Sequence, residues 1–146
     1  MRRHAPLVIL LGALGCAVWY LRDPAWLIDQ STGLRAPEKA ADGTVFRWSE
    51  GHASFFVPSD AGTIRIPVST TFGADGTAPM MVTVFVDDAR AGRLLLTDDA
   101  WHSMTIPLPP RGSRRVRRID IRTSVVRDDN HGVRVGAVQV GGHARD

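Results

Sequence analysis

The sequence predicts an all-β domain, an antiparallel β-sandwich or jelly roll of about eight strands, preceded by one N-terminal transmembrane helix. Three observations carry that expectation. After Asp42 the chain alternates apolar and polar residues in short runs. Turn residues separate those runs at roughly 8 to 14 residue spacing. No window beyond the N-terminal segment shows a helical period.

Residues Ala5 to Leu21 read APLVILLGALGCAVWYL, an uncharged apolar run. As a helix rising 1.5 Å per residue it is about 25 Å long, at the short end for a hydrocarbon core of about 30 Å. Trp19 and Tyr20 fall where an interfacial aromatic belt would lie. Arg2, Arg3 and His4 precede the run, so the positive-inside rule keeps the N-terminus cytoplasmic and exports the rest. The expected location is the inner, cytoplasmic membrane, single-pass, with an extracytoplasmic C-terminal domain. A cleaved signal peptide is an alternative, but it needs a small-x-small site, and Val18-Trp19-Tyr20-Leu21-Arg22-Asp23-Pro24 is bulky or charged. Lipidation at Cys16 is another, since Leu14-Gly15-Cys16 resembles a lipoprotein signal, although Ala13 replaces the usual large aliphatic residue and apolar sequence continues past the cysteine. All three dispositions export the domain.

The resulting divisions are a stub and anchor at 1–22, a linker at 23–42, the sandwich at 43–142 and a tail at 143–146. The linker is punctuated by Pro24, Gly33 and Pro37 and holds one short apolar cluster at Trp26, Leu27 and Ile28. Strands are then expected at Thr44–Trp48 and Ala53–Val57, across a turn at Glu50-Gly51-His52. Thr63–Val68 places Ile64, Ile66 and Val68 on one face, and Pro67, lacking a backbone donor, puts this strand at a sheet edge or a bulge. Met80–Val86, Gly92–Thr97, His102–Leu108, Val116–Val126 and Val133–Val140 complete the set. The loop 72–79 and the Asp87-Asp88 and Asp128-Asp129 doublets separate strands, and Asp suits turns because it bonds its own backbone. Phe55 and Phe56 are adjacent, so only one of them faces the main core.

The 146 residues suffice for one modest domain with an ordinary core. A single cysteine excludes an internal disulfide and any Cys-rich zinc site. The net charge of +3 is too small for a dedicated polyanion binder, and nucleic acid is not an expected partner of an exported domain. Neither a cofactor nor a metal is expected: His52, His102, His131 and His143 form no His-x-His or His-x-x-x-His pair. The chain lacks a Gly-x-Ser-x-Gly elbow and a phosphate loop. Ser54, Ser103 and Ser124 show no histidine partner beyond His102, which faces away from its neighbour Ser103. No catalytic residue is therefore assigned.

Two surfaces remain. Trp48 and Trp101 lie near strand ends, Trp101 just after Asp98-Asp99. An indole face can stack on a sugar ring while Asp and Arg bond its hydroxyls, so Trp101, Trp48, Asp98 and Asp99 are candidate glycan ligands; the competing role for a sandwich tryptophan is core filling. Arg111, Arg114, Arg115 and Arg117 form a basic loop that could meet a partner protein or an acidic polymer, alongside the Pro67 edge strand.

The segments Phe46-Arg47-Trp48-Ser49, Ala53 to Pro58, Val84 to Asp88, Asp98 to Trp101 and Arg117 to Arg122 resemble the extracytoplasmic β-sandwich modules of bacterial envelope proteins associated with membrane glycosyltransferases, which are similar in outline to carbohydrate-binding jelly rolls. The resemblance spans about residues 44 to 140. It implies a non-catalytic role beside envelope polysaccharide assembly and carries over no binding residue.

Overall fold

A computed structural model describes residues 5–71, 79–110, 112–126 and 131–143. Helix α1 (Ala5–Arg22) is followed by a 3-10 turn at Ala25–Asp29 and nine strands: β1 (Ser31–Lys39), β2 (Val45–Pro58), β3 (Ala61–Ser69), β4 (Met80–Val86), β5 (Ala89–Leu96), β6 (His102–Pro107), β7 (Val116–Thr123), β8 (Arg134–Gly136) and β9 (Gln139–His143). All pairings are antiparallel, as expected for an all-β sandwich. The strands form one curled sheet, ordered β5-β4-β7-β2-β8-β3-β6, with β1 added to β2 and β9 to β3.

The curl comes from β2. Residues His52–Pro58 pair with β7, whereas Phe46–Trp48 pair with β8. Between them Gly51 has φ 81°, and a Cβ there would lie 2.4 Å from Val126 Cγ2. Only glycine adopts that backbone freely in so little space. The expected turn at Glu50-Gly51-His52 is thus a bend inside one long strand, which hands the chain from one layer to the other.

The alternation read from the sequence is what fills the core. Ile64, Ile66 and Val68 of β3, Val82 and Val84 of β4, and Ile119 and Ile121 of β7 are fully buried, in one cluster that also takes in Met104, Ile106 and Val135. Each such aliphatic contributes about 1.5–3 kcal/mol relative to remaining in water. Phe55 joins this core and Phe56 faces outward.

Three further expectations change. The stretch expected as a linker carries a ninth strand: β1 is largely polar and exposed, and it is held to β2 through Arg47, which donates to the carbonyls of Leu34 (2.8 Å) and Arg35 (2.5 Å) and to Ser31 Oγ (2.9 Å). The strand bearing Pro67 is not an edge, since β3 pairs with β6, β8 and β9. Pro67 is tolerated because it lies opposite the break between β8 and β9, where no ladder bond is demanded. That same break divides the expected strand Val133–Val140.

Helix α1 presents Val8, Ile9, Leu10, Leu11, Leu14 and Val18 to its surroundings. The segment Val8–Asp29, of mean hydropathy 1.3, is long and apolar enough to cross a membrane. Cys16 on this helix is exposed.

Candidate binding surface

Period-two alternation along β2 puts Phe46 and Trp48 on one face, and the register sets Gly136 and Arg134 of β8 directly opposite them. Ser69 of β3 is opposite Arg134 on its other side. The loop entering β6 adds Trp101. The two tryptophans expected to contact ligand therefore fall in one cluster, each against Phe46, although 53 positions separate them in the sequence.

Their meeting point is Arg134. Its guanidinium carbon lies 5.4 Å from the Trp101 ring, 5.6 Å from Phe46 and 5.9 Å from Trp48. Phe46 is edge-on to Trp48 at 5.9 Å and tilted against Trp101 at 6.3 Å. The guanidinium also donates to Ser69 Oγ (2.7 Å) and the carbonyls of Thr70 (3.1 Å) and Asp99 (3.3 Å), and Ser69 Oγ donates to the Asp99 carbonyl (2.8 Å). A delocalised cation among π faces, anchored through Nη2, orders all three rings. Gly136 is required beneath them: a Cβ there would lie 3.1 Å from Pro67 Cβ and 3.5 Å from Trp101 Cζ3.

Phe46 is buried, while Trp48 and Trp101 keep part of their surface in solvent. Beside Trp48, His131 lies 4.7 Å away and its Nε2 accepts from Arg35 (2.8 Å), whose Nε is 3.8 Å from Glu50. The patch thus combines partly exposed indoles with charged groups at its rim.

The two expected carboxylates behave differently. Asp98 turns back on its own loop, accepting from His102 Nε2 (2.7 Å) and the Ala100 N–H (3.1 Å). The His102 bond first, and then the Ala100 bond, hold its carboxyl below the usual aspartate range. Asp99 contributes its backbone carbonyl to the Arg134 cluster and leaves its residue exposed at the rim.

The arginine loop is engaged within the chain. Asp23, just past α1, accepts from the Arg115 N–H (2.5 Å), and Arg114 lies 3.5 Å from its other oxygen. The Arg115 guanidinium covers Trp19 at 4.3 Å. Arg117 is not a surface residue: its side chain is 8% exposed. It donates to Asp87 Oδ2 (3.0 Å) and to the carbonyls of Pro109 (3.0 Å) and Pro110 (2.5 Å). Arg111 lies outside the described residues. Asp87 and Asp88 form the two-residue β4–β5 turn with φ of 48° and 71°, a left-handed pair that Asp tolerates. Arg117 and Arg118 hold those carboxylates. A groove of about 500 Å³ opens here between Leu27, Phe56, Asp88, Arg114 and Arg118. Its arginines are all matched by carboxylates, so it is close to charge-balanced.

One cluster escaped the sequence reading. His52 and Ser54 share a face of β2, and register places Asp120 opposite Ser54. Ser54 Oγ donates to Asp120 Oδ1 (2.5 Å), while His52 Nε2 lies 3.3 Å from Asp120 Oδ1 and 3.5 Å from Ser54 Oγ. Ser54 therefore does have a histidine neighbour. The connectivity differs from an acyl-transfer relay, in which histidine stands between serine and acid with one ring nitrogen for each. Here the serine proton goes straight to the carboxylate. Burial raises the Asp120 pKa, but the bonds from Ser54 and His52 and the Arg118 charge outweigh it and leave the group lowered. Among the described residues no three His, Cys, Asp or Glu side chains group in a way that could hold a metal ion.

No family model and no curated protein matches the chain. Solved structures similar in outline include a family two carbohydrate esterase from Clostridium thermocellum in complex with cellohexaose (TM-score 0.49, 4% identity, 77% of this chain and 31% of that one). Others are a family 35 carbohydrate binding module from an environmental isolate (0.48, 17%, 75% and 87%) and the CBM36-1 domain of a multidomain xylanase from the hindgut metagenome of Trinervitermes trinervoides (0.45, 10%, 76% and 89%). The chain spans only about a third of the esterase. At this level the likeness is one of outline, and the ligands and activities of those proteins do not transfer with it.

Proposed function

We propose that this chain is a membrane-anchored, non-catalytic, extracytoplasmic β-sandwich that binds envelope glycan through the Trp48–Trp101 patch. The observation that supports it most is the convergence of both tryptophans on Arg134, which fixes two partly exposed indoles before any ligand arrives. Rigid rings lose little entropy on binding, and rim groups such as Arg35, Glu50 and Asp99 suit hydroxyl recognition. Anchoring by α1 would hold a bound chain near the bilayer, the setting of a glycosyltransferase or polysaccharide-assembly complex. A scaffold role for the arginine loop has less to stand on, because Arg114, Arg115 and Arg117 are engaged by Asp23, Trp19 and Asp87.

The test is a screen of the full-length chain in detergent against envelope polysaccharides, beside Trp101→Ala. Binding that the variant loses, with circular dichroism unchanged, supports the reading. Binding of neutral glycan that is indifferent to Trp101, or no binding of any neutral glycan, rejects it.

A further inference from the structure

The opposite outer face carries a different set of residues. Register aligns Arg93 of β5, Thr83 of β4, Arg122 of β7 and His52 of β2 in one row across four strands. The next row aligns Arg90, Phe85, Asp120 and Ser54. At about 4.8 Å between strands, Arg93 and Arg122 stand about 10 Å apart. Arg90, Arg93 and Arg122 are all exposed, and among the described residues none makes an ion pair. Arg35, Arg114, Arg117 and Arg118 each do. Asp120 adds little to balance them, because it is buried and bonded by Ser54 and Arg118.

Arg122 lies over Phe85 with its guanidinium carbon 4.6 Å from the ring centre, which pre-orients the fork while leaving it in solvent. Like charges on one sheet face repel, and a bound anion relieves that cost. We infer that this face binds an acidic polysaccharide, with Arg90, Arg93 and Arg122 reading its carboxylates. A guanidinium fork matches a carboxylate in two parallel bonds, and an extended polymer can present several at intervals. The bilayer fits less well. Arg122 lies six residues along β7 from Val116, about 20 Å from the end of the strand next to the residues that meet α1. That exceeds the Debye length of about 8–10 Å. The inference is independent of the Trp48–Trp101 patch and concerns a second surface.

The experiment places the full-length chain in nanodiscs of zwitterionic lipid and titrates polygalacturonate and neutral dextran. Arg93→Gln and Arg122→Gln should each weaken polygalacturonate binding about tenfold. Arg65→Gln, an exposed charge on β3 in the other layer, should change it less than about twofold. Binding should fall as salt rises. Equal losses at Arg65 and Arg122 would reduce the effect to diffuse net charge and overturn the assignment. So would failure to bind polygalacturonate, or a requirement for anionic lipid in the disc. Trp101→Ala run in parallel separates this surface from the aromatic one.

Discussion

The two outer faces of the sandwich use the same residue types in opposite ways. On the β2–β8–β3 side one half-buried arginine sits among three aromatic rings, and its Nη2 donates to Ser69 and backbone carbonyls. On the β5–β4–β7 side one aromatic ring lies beneath an arginine, and three guanidiniums face solvent without carboxylate partners among the described residues. Half-buried among aromatic rings, the cation organises them; exposed, it is free to meet an anion. A net charge of +3 conceals this, because several arginines are cancelled by carboxylates while Arg90, Arg93 and Arg122 stand together on one face without an ion pair among the described residues.

Removing Arg134 should be the most damaging single change. Arg134→Ala deletes the cation shared by Phe46, Trp48 and Trp101 and leaves Ser69 and two carbonyls short of a donor, so a loss of about 3 kcal/mol is expected in chemical unfolding. Gly136→Val attacks the same face by crowding Pro67 and Trp101, for about 1–2 kcal/mol. A Gly136→Val protein as stable as wild type would show that the rings need no support from beneath.

The remaining predictions concern the other face. Asp120 is held below its ordinary value of 3.8, so its ionised form stabilises the fold above that pH, and the contribution is lost as pH falls through the lower folded value. Asp120→Asn should cost about 1 kcal/mol near neutrality and flatten the acid limb of a stability–pH profile below pH 4. An unchanged acid limb would mean that the Ser54 and His52 contacts do not favour the carboxylate. Smallest of all, Arg122→Gln should alter stability by less than about 0.5 kcal/mol, since the side chain is exposed and relieves no buried charge. A loss comparable to that of Arg134→Ala would erase the distinction between the faces.

Much of the fold was legible. Ile64, Ile66 and Val68, or Met104 and Ile106, announce their face by alternation alone, and burial at those positions follows. What failed were features set by partners far along the chain. Strand β1 is polar and interrupted by Gly33 and Pro37, so nothing local marks it; it exists because β2 offers an open edge and Arg47 ties it down. Gly51 reads as a turn because a bend and a reversal use the same residue. The arginine loop looked free because Asp23, its main carboxylate, is 92 residues from Arg115. At the candidate site the tryptophans could be named but not joined. Arg134 joins them, and its place opposite Trp48 depends on a register that one strand's pattern does not encode. The His52–Ser54 neighbourhood was within reach, since residues two apart on a strand share a face; only Asp120 needed the pairing.

The most direct measurement is a two-by-two comparison of neutral envelope glycan and polygalacturonate, each titrated against Trp101→Ala and Arg122→Gln in the full-length chain. The two faces acting separately predict that Trp101→Ala loses neutral glycan and keeps the acidic polymer, while Arg122→Gln does the reverse. One variant abolishing both, or neither variant affecting either, would contradict the division of labour between the faces.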